Sequence, residues 1–138
     1  ALPAPSGGCS TAAAAAELLH LGCGTSGLGV LLAELPCAVA CGARVTNVDF
    51  SGAAVDAMRQ RYPEGGGHRN TWEVADVLDL PFPSGSFDLV VDKGTFDAFE
   101  FADDGRLALL CSEVSRVLRP HGAAAWVQIT HSAPELRV

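Results

Sequence analysis

Short apolar runs alternate along the chain with segments of helical spacing. The runs that predict strands cover 17–21, 44–49, 71–75, 87–91 and 123–129. Helices are predicted over 26–35 (capped by Thr25 or Ser26), from Ser51 to about Tyr62, and over 104–118. Segment 36–42 is expected to be a loop, because Pro36 ends the preceding helix. Strands that alternate with helices in this way predict an α/β fold with a parallel sheet.

Length and composition indicate one folded domain. The 138 residues are 49% hydrophobic and 18% charged, which suits a packed core and is unlike a disordered chain. We divide the chain into an irregular lead-in over 1–16 and a single domain over 17–138. A net charge of −7 provides no basic footprint, so no nucleic-acid partner is expected. No apolar run has the length of a bilayer span, so no membrane segment is expected.

The number and spacing of the cysteines indicate the cellular compartment of the protein. There are five of them, without a CxxC pair or a Cys/His cluster at zinc spacing, so we expect free thiols and no metal site. This pattern predicts a cytoplasmic location. A mitochondrial location stays open, since the chain begins at Ala1 and a targeting segment could have been removed. The sequence makes no prediction of oligomeric state.

A glycine-rich turn directly follows the first predicted strand. Gly22 and Gly24 have no side chain, so the backbone can turn sharply there and approach a ligand. Asp49 ends the next strand, about one helix and one strand later, where a carboxylate can accept both hydroxyls of a ribose. The alternative role of Asp49 is to cap the following helix. The turn predicts a nucleotide-type cofactor.

Further candidate residues follow other strands, since ligands of an open parallel sheet lie beyond the carboxyl ends of its strands. Asp76 could accept the exocyclic amine of adenine, and the Val77 N–H could meet a ring nitrogen. The alternative is a solvated loop. Phe50 could lie against the adenine face or in the core.

The segment after the fourth strand reads Asp-Lys-Gly-Thr-Phe-Asp-Ala over 92–98. Two carboxylates, a lysine and a threonine at the end of a buried strand predict a role facing a cofactor or a substrate amine. Asp88, in contrast, is expected to lie at the opposite edge of the sheet with a structural role. Glu113 and Arg116 are expected to form a surface ion pair of small worth.

These motifs together carry a family resemblance. With the glycine turn, Asp49, Asp76 and Pro-Phe-Pro-Ser-Gly-Ser-Phe-Asp over 81–88, the chain resembles the class I (seven-strand) S-adenosylmethionine-dependent methyltransferases over about 17–130. The 92–98 segment, with Ser-Glu-Val-Ser-Arg-Val-Leu over 112–118, resembles the protein-lysine methyltransferase subgroup that modifies translation elongation factor 1-alpha, together with its relative acting on citrate synthase. The resemblance implies a doubly wound, mostly parallel, Rossmann-like sheet.

The resemblance also implies a cofactor, S-adenosyl-L-methionine, and a role for each candidate residue. By this resemblance, Gly22, Cys23 and Gly24 would contact the methionine and ribose of the cofactor, and Asp49 would hold the ribose. Asp76 and Val77 would bind the adenine. Asp92 and Lys93 would lie beside the methionine moiety and the substrate entrance. The implied reaction is direct in-line displacement by a neutral lysine amine of an elongation-factor-like protein substrate. Asp92 or Asp97 would orient or deprotonate that amine.

Two features depart from the family pattern. His20 occupies the position where the family usually has an acidic residue that recognises the amino end of the cofactor. The chain also stops soon after strand five, where the family adds two more strands. We therefore expect a sheet truncated after strand five, either as an excerpt of a longer enzyme or as a truncated relative with impaired catalysis.

Three alternatives remain open at this point. A small-molecule methyltransferase would share the 81–88 motif, and only the 92–98 segment opposes it. A truncated cofactor-binding domain without turnover would agree with His20. A nicotinamide-dependent oxidoreductase would agree with the G-x-G-x-x-G spacing of Gly22, Gly24 and Gly27, and the Asp76 and Asp92 loops argue against it.

Overall fold

The computed structural model describes residues 14–102 and 104–132, which contain five strands and five helices. The strands are β1 (Glu17–Leu21), β2 (Arg44–Asp49), β3 (Asn70–Val74), β4 (Leu89–Lys93) and β5 (Ala125–Ile129). The helices are α1 (Leu28–Glu34), α2 (Pro36–Cys41), α3 (Gly52–Arg61), α4 (Thr95–Glu100) and α5 (Arg106–Val117). None of these helices is long and apolar enough to cross a membrane.

The strands form one parallel sheet in the order β3-β2-β1-β4-β5. The chain starts in the middle of the sheet, builds outwards to β3, and then returns to the other side of β1 as β4. The strand order therefore reverses between β1 and β4, which is where a crevice opens at the carboxyl edge of such a sheet. The predicted α/β class and parallel, Rossmann-like sheet are confirmed.

Helices cover both faces of the sheet, because successive residues of a buried strand point to opposite layers. Leu19 and Leu21 of β1 pack with the apolar side of α5. Leu18 packs with Ala33 of α1 and Ala38 of α2 on the opposite face. The buried strand predicted over 17–21 thus supplies apolar side chains to two separate core clusters.

A row of polar side chains is buried beneath α1. The Nδ1 of His20 and the Oδ1 of Asn47 are 2.9 Å apart, and the Nδ2 of Asn47 donates to the Oδ1 of Asn70 at 2.9 Å. Their exposed fractions are 1%, 0% and 5%. A Cβ atom at Gly29 of α1 would lie 2.1 Å from the Asn47 Oδ1. Only glycine therefore lets α1 lie this close to the row.

Most predicted elements are confirmed, with shifted ends. Predicted strands 71–75, 87–91 and 123–129 begin at Asn70, Leu89 and Ala125. Ser51 caps α3 as predicted, since its side chain accepts from the Ala54 N–H. The 26–35 helix begins at Leu28 after Gly27, and the Oγ of Ser26, one of the two predicted caps, accepts from the Leu28 N–H at 3.2 Å.

Two helices correct the sequence-based expectations. Segment 36–42, expected as a loop, contains α2: Pro36 is its first residue, and Gly42 ends it with a φ of 67°. Proline suits a first helical position because the N–H it lacks would have no partner there. Helix α4 is not predicted by the sequence pattern, since six residues are too few to show helical periodicity.

The crossover from β3 to β4, residues 75–88, contains no helix and depends on α5 for its backbone partners. The Glu113 Oε2 accepts from the Leu80 N–H at 2.7 Å, and Arg116 donates to the carbonyl oxygens of Phe82 at 2.7 Å and Leu80 at 3.0 Å. The expected Glu113–Arg116 ion pair forms at 2.8 Å. Both side chains also bind the backbone of the crossover, a role that the sequence pattern did not indicate.

The remaining expectations concern Asp88, the thiols and the lead-in. Asp88 precedes β4, and its Oδ2 accepts from the Glu17 N–H at 2.8 Å, so it lies at the amino-terminal edge as predicted. Four cysteines are free thiols: Cys23, Cys37, Cys41 and Cys111. Cys9 and residues 1–13 of the predicted lead-in lie outside the described residues.

We expect Gly29→Ala to lower the free energy of unfolding by roughly 1–3 kcal/mol, the usual cost of overpacking. The added methyl group would meet Asn47, although alanine is the better helix former by about 1 kcal/mol. Chemical denaturation measures the change. Gly52→Ala is the matched control, because a Cβ atom there has nothing within 4 Å, and it should be neutral or stabilising. Equal effects of the two substitutions would contradict the close packing of α1.

Candidate functional site

A cavity of about 570 Å³ opens at the carboxyl edge of the sheet, beside the reversal between β1 and β4. It is larger than the cavities along α1 and β3, which measure about 240, 390 and 360 Å³. Six of the nine predicted cofactor-binding residues line it: Gly22, Asp49, Phe50, Asp76, Val77 and Lys93. Cys23, Gly24 and Asp92 are not among its described lining residues. The individual roles of all nine stay predictions.

The glycine turn has the geometry that requires glycine. Gly22 has a φ of 56° and Gly24 a φ of 50°, in the left-handed region that other residues rarely adopt. A Cβ atom at Gly22 would lie 2.1 Å from the Thr95 Oγ1. That hydroxyl donates to the Leu21 carbonyl oxygen at 3.1 Å. The start of α4 therefore closes directly onto the turn after β1.

Asp49 joins two loops of the site. Its Oδ2 accepts from the Gly24 N–H at 2.9 Å and its Oδ1 from the Ser51 N–H at 2.9 Å. The carboxylate is thus held in one orientation at the cavity wall. Each carboxylate oxygen has a further lone pair, so Asp49 could still accept ribose hydroxyls. The structure thus shows a loop-binding role for Asp49, and it leaves capacity for the predicted ribose role.

Phe50 and the Asp76 loop form another part of the wall. Phe50 is 84% exposed, so the alternative that it belongs to the core is wrong. Its ring is available to a planar ligand group. The Asp76 Oδ1 accepts from the Leu78 N–H at 2.9 Å, which shapes the loop after β3. Val77 is 9% exposed and supplies an apolar surface beside that loop.

Cys23 contributes backbone, not a thiol, to this region. Its side chain packs with Val55, Met58 and Trp72 in the core, and its N–H donates to the Val48 carbonyl oxygen at 2.9 Å. Burial raises the pKa of the Cys23 thiol to about 12. The thiol therefore stays protonated and has no nucleophilic role here.

The two carboxylates predicted to be catalytic are bound to other parts of the fold. Asp92 is 1% exposed; it accepts from the Phe96 N–H at 3.1 Å and from the Trp126 Nε1 at 2.9 Å. Burial raises the pKa of the Asp92 carboxyl. Asp97 accepts from the Thr130 hydroxyl and, at 3.1 Å, from the His131 N–H. Both side chains hold the segment after β4 against β5 and the residues that follow it.

The His20 side chain is also buried and hydrogen-bonded within the fold. Its imidazole belongs to the buried polar row, with Asn47 as its partner. Burial lowers the pKa of His20; the Asn47 hydrogen bond opposes this change, and the Lys93 charge adds to it. His20 is not among the described residues that line the cavity. The His20 side chain therefore packs under α1 instead of lining the cavity.

Sequence reasoning did not identify part of the cavity wall. Leu78, Phe99 and Arg106 line it, and the Arg106 guanidinium lies 5.5 Å from the centre of the Phe99 ring. The sequence pattern gave no signal for them, since α4 is too short to show helical periodicity. This wall exists because α4 and the start of α5 pack beside the crossover.

The cavity suits a nucleoside-type ligand better than a metal ion. A volume of about 570 Å³ lies in the range of small-molecule sites. Fixed carboxylate acceptors at Asp49 and Asp76, together with the exposed Phe50 ring, match sugar hydroxyls, an amine and an aromatic base. In the described part of the chain, no group of three or more His, Cys, Asp or Glu could hold a metal ion. The arrangement defines an α/β domain that binds a nucleotide-type cofactor.

Comparison with known proteins gives the family. A family described as "Methyltransferase domain" matches residues 18–122, so the chain belongs to the methyltransferase-domain family. It is similar to a structure of S-adenosylmethionine-dependent methyltransferases from Methanosarcina mazei, with a TM-score of 0.64 and 26% identity, covering 80% of this chain and 50% of that one. The family and this fold match identify S-adenosylmethionine as the cofactor.

Two protein relatives are more similar in sequence. "EEF1A lysine methyltransferase 4" of Bos taurus is 39% identical over 135 residues, covering 88% of this chain and 48% of the relative. "Citrate synthase-lysine N-methyltransferase CSKMT, mitochondrial" of Homo sapiens is 34% identical over 140 residues, covering 92% and 56%. The chain therefore spans about half the length of these relatives. The family resemblance drawn from the sequence motifs is confirmed.

The buried Asp92 gives a prediction about pH. Its raised pKa means that the folded state binds more protons than the unfolded state, so stability decreases as pH rises from about 4, the ordinary aspartate pKa, through the folded value. The free energy of unfolding of the unmodified chain should therefore fall relative to that of Asp92→Asn over this window. Denaturation at a series of pH values measures the difference.

Asp88→Asn is the control with the opposite sign. Burial opposes ionisation of Asp88, but hydrogen bonds from Glu17, Arg119 and His121 outweigh it and lower its pKa. The unmodified chain should therefore gain stability relative to Asp88→Asn as pH rises. The same slope for both pairs would contradict a raised pKa of the buried Asp92 carboxyl.

Proposed function

We propose that this chain is the cofactor-binding part of a methyltransferase that transfers a methyl group to the lysine amine of a protein. This proposal rests on the observation that the ends of β1, β2 and β4 and the loop after β3 meet at one cavity. This cavity belongs to a chain that is 39% identical to a protein named as an EEF1A lysine methyltransferase.

In this proposal each side of the cavity holds one part of the cofactor. Asp49 accepts the ribose hydroxyls, Asp76 and Val77 bind the adenine edge, and Phe50 covers its face. Gly22 and Lys93 lie at the methionine end. When bound, S-adenosylmethionine supplies an electrophilic methyl group on its sulfonium. The chain binds, orients and excludes water, which is the main requirement of a direct displacement.

Asp92 and Asp97 orient the substrate amine in this proposal through the segment that they hold. Asp92 accepts from the Phe96 N–H, so it fixes the first turn of α4. Asp97 binds the backbone and side chain that follow β5. Together they place Lys93 and Gly94 at the cavity edge where an incoming amine would arrive.

The proposed substrate is a protein that presents a lysine, similar to the elongation factor in the name of the Bos taurus relative. The net charge of −7 favours a cationic partner through long-range attraction. We propose a cytoplasmic location, with a mitochondrial one as the alternative because the Homo sapiens relative carries that word in its name.

A second candidate is cofactor binding without turnover. His20 packs under α1 instead of facing the cavity, and both predicted catalytic carboxylates are bound within the fold. These observations favour a domain that holds the cofactor but does not by itself complete a substrate site.

Asp49→Ala should weaken S-adenosylmethionine binding by about 1.5–3 kcal/mol, the usual value of hydrogen bonds to a charged group. Calorimetry with S-adenosylmethionine, S-adenosylhomocysteine and NAD measures it. Asp56→Ala is the control, because Asp56 is an exposed aspartate of α3 whose side chain is 69% accessible. The affinity of this control variant for S-adenosylmethionine should be unchanged. Since Asp49 also binds two backbone N–H groups, the melting temperature of each variant is measured in parallel. Binding of NAD but of neither sulfur nucleotide would contradict the cofactor.

Transfer to a protein is tested with methyl-labelled S-adenosylmethionine and a cell extract. We expect a labelled protein band whose acid hydrolysate contains methyl-lysine. Label confined to the small-molecule fraction would instead support a small-molecule methyltransferase. Cofactor binding with no label in either fraction would support the candidate without turnover.

A further inference from the structure

The chain contains one lysine. Of its nine lysine and arginine residues, Lys93 alone is a lysine. Every other cationic side chain is a guanidinium, which cannot be deprotonated in proteins and is a poor methyl acceptor by comparison with an amine. Any methyl-lysine formed on this chain would therefore be at Lys93.

This single lysine lies at the cofactor cavity. Lys93 is the last residue of β4, its side chain is exposed, and it lines the cavity together with Gly22. The pairing of Leu21 with Asp92 makes Gly22 and Lys93 neighbours across the ends of β1 and β4. Adjacent strands are about 5 Å apart, so a four-carbon side chain spans this junction easily.

The Lys93 amine has no partner among residues 14–102 and 104–132: no hydrogen bond or ion pair engages it there. The two nearest carboxylates in the sequence are used elsewhere, since Asp92 accepts from Trp126 and Asp97 from Thr130. Successive strand residues point to opposite faces, so Lys93 points away from the side on which Asp92 contacts Trp126. The amine therefore lies at the cavity, and no described residue binds it.

We propose that Lys93 is itself a methyl acceptor, so that the chain methylates its own lysine; this inference rests on the proposed function. The neutral Nζ attacks the sulfonium methyl carbon, an N–C bond forms and the S–C bond breaks with its electron pair left on sulfur. The products are S-adenosylhomocysteine and a protonated methyl-lysine, which returns its proton to solvent. Methylation keeps the positive charge and enlarges the head group, which narrows the substrate end of the cavity.

The first test uses the full chain with a lysine-free tag, methyl-labelled S-adenosylmethionine and no other protein. We expect methyl-lysine in the acid hydrolysate, and mass spectrometry should place it in the peptide that contains Lys93. An excess of S-adenosylhomocysteine should suppress it. Lys93→Arg, which keeps the positive charge, must give no methyl-lysine. Label only on another residue type would overturn the inference.

A second test reports the position of Lys93 without any turnover. Acetic anhydride acetylates free amines, and the chain offers Lys93 and its amino terminus, the latter serving as an internal reference. Saturating S-adenosylhomocysteine should slow acetylation of Lys93 several-fold and leave the reference unchanged. Equal rates with and without the nucleotide would show that Lys93 lies away from the bound cofactor, and this would also overturn the inference.

The outcomes separate this inference from the proposed function. If a protein of the extract acquires methyl-lysine while Lys93 acquires none, the inference fails and the proposed function stands. If S-adenosylhomocysteine shields Lys93 but no lysine is methylated anywhere, both fail and the candidate without turnover is supported. Methyl-lysine at Lys93 with none in the extract would support the inference and contradict the protein substrate.

Discussion

The candidate site depends on the close approach of the start of α4 to the turn after β1. The Thr95 hydroxyl donates to the Leu21 carbonyl oxygen and lies where a Cβ atom of Gly22 would be. This contact is possible only at a glycine with positive φ. It joins the ends of β1 and β4, the two strands between which the order of the sheet reverses. It adds a side-chain contact to the backbone pairing that already places these two strand ends at the same edge.

Four aspartates, Asp49, Asp88, Asp92 and Asp97, divide into two groups by what their oxygens bind. Asp49 binds the backbone of two cavity loops and still faces the cavity. Asp92, Asp97 and Asp88 instead bind partners far along the chain and hold strands or loops in place. A buried carboxylate without such partners would cost several kcal/mol. The aspartates of the second group therefore belong first to the fold, and they influence the cavity through the segments that they position.

Lys93 differs from these residues because nothing in the described part of the chain binds its amine, although it lies in the same wall. A methyltransferase-family chain without other lysines thus has its one lysine amine at this cavity. The chain spans about half the length of its Bos taurus and Homo sapiens relatives.

The sequence by itself determined β1, β2, the Ser51 cap, the parallel α/β architecture and the position of Asp49, because periodicity and capping depend on residues close together in the chain. Tertiary structure alone decided that Phe50 is exposed, that His20 lies under α1 and that Asp92 binds Trp126. Each of these outcomes depends on a contact, or on its absence, between residues from separate elements: Asn47 is 27 positions from His20, and Trp126 is 34 from Asp92. Local patterns carry no information about which element will pack on a given side chain, so they located the candidate residues and the packing then divided them between cavity and core.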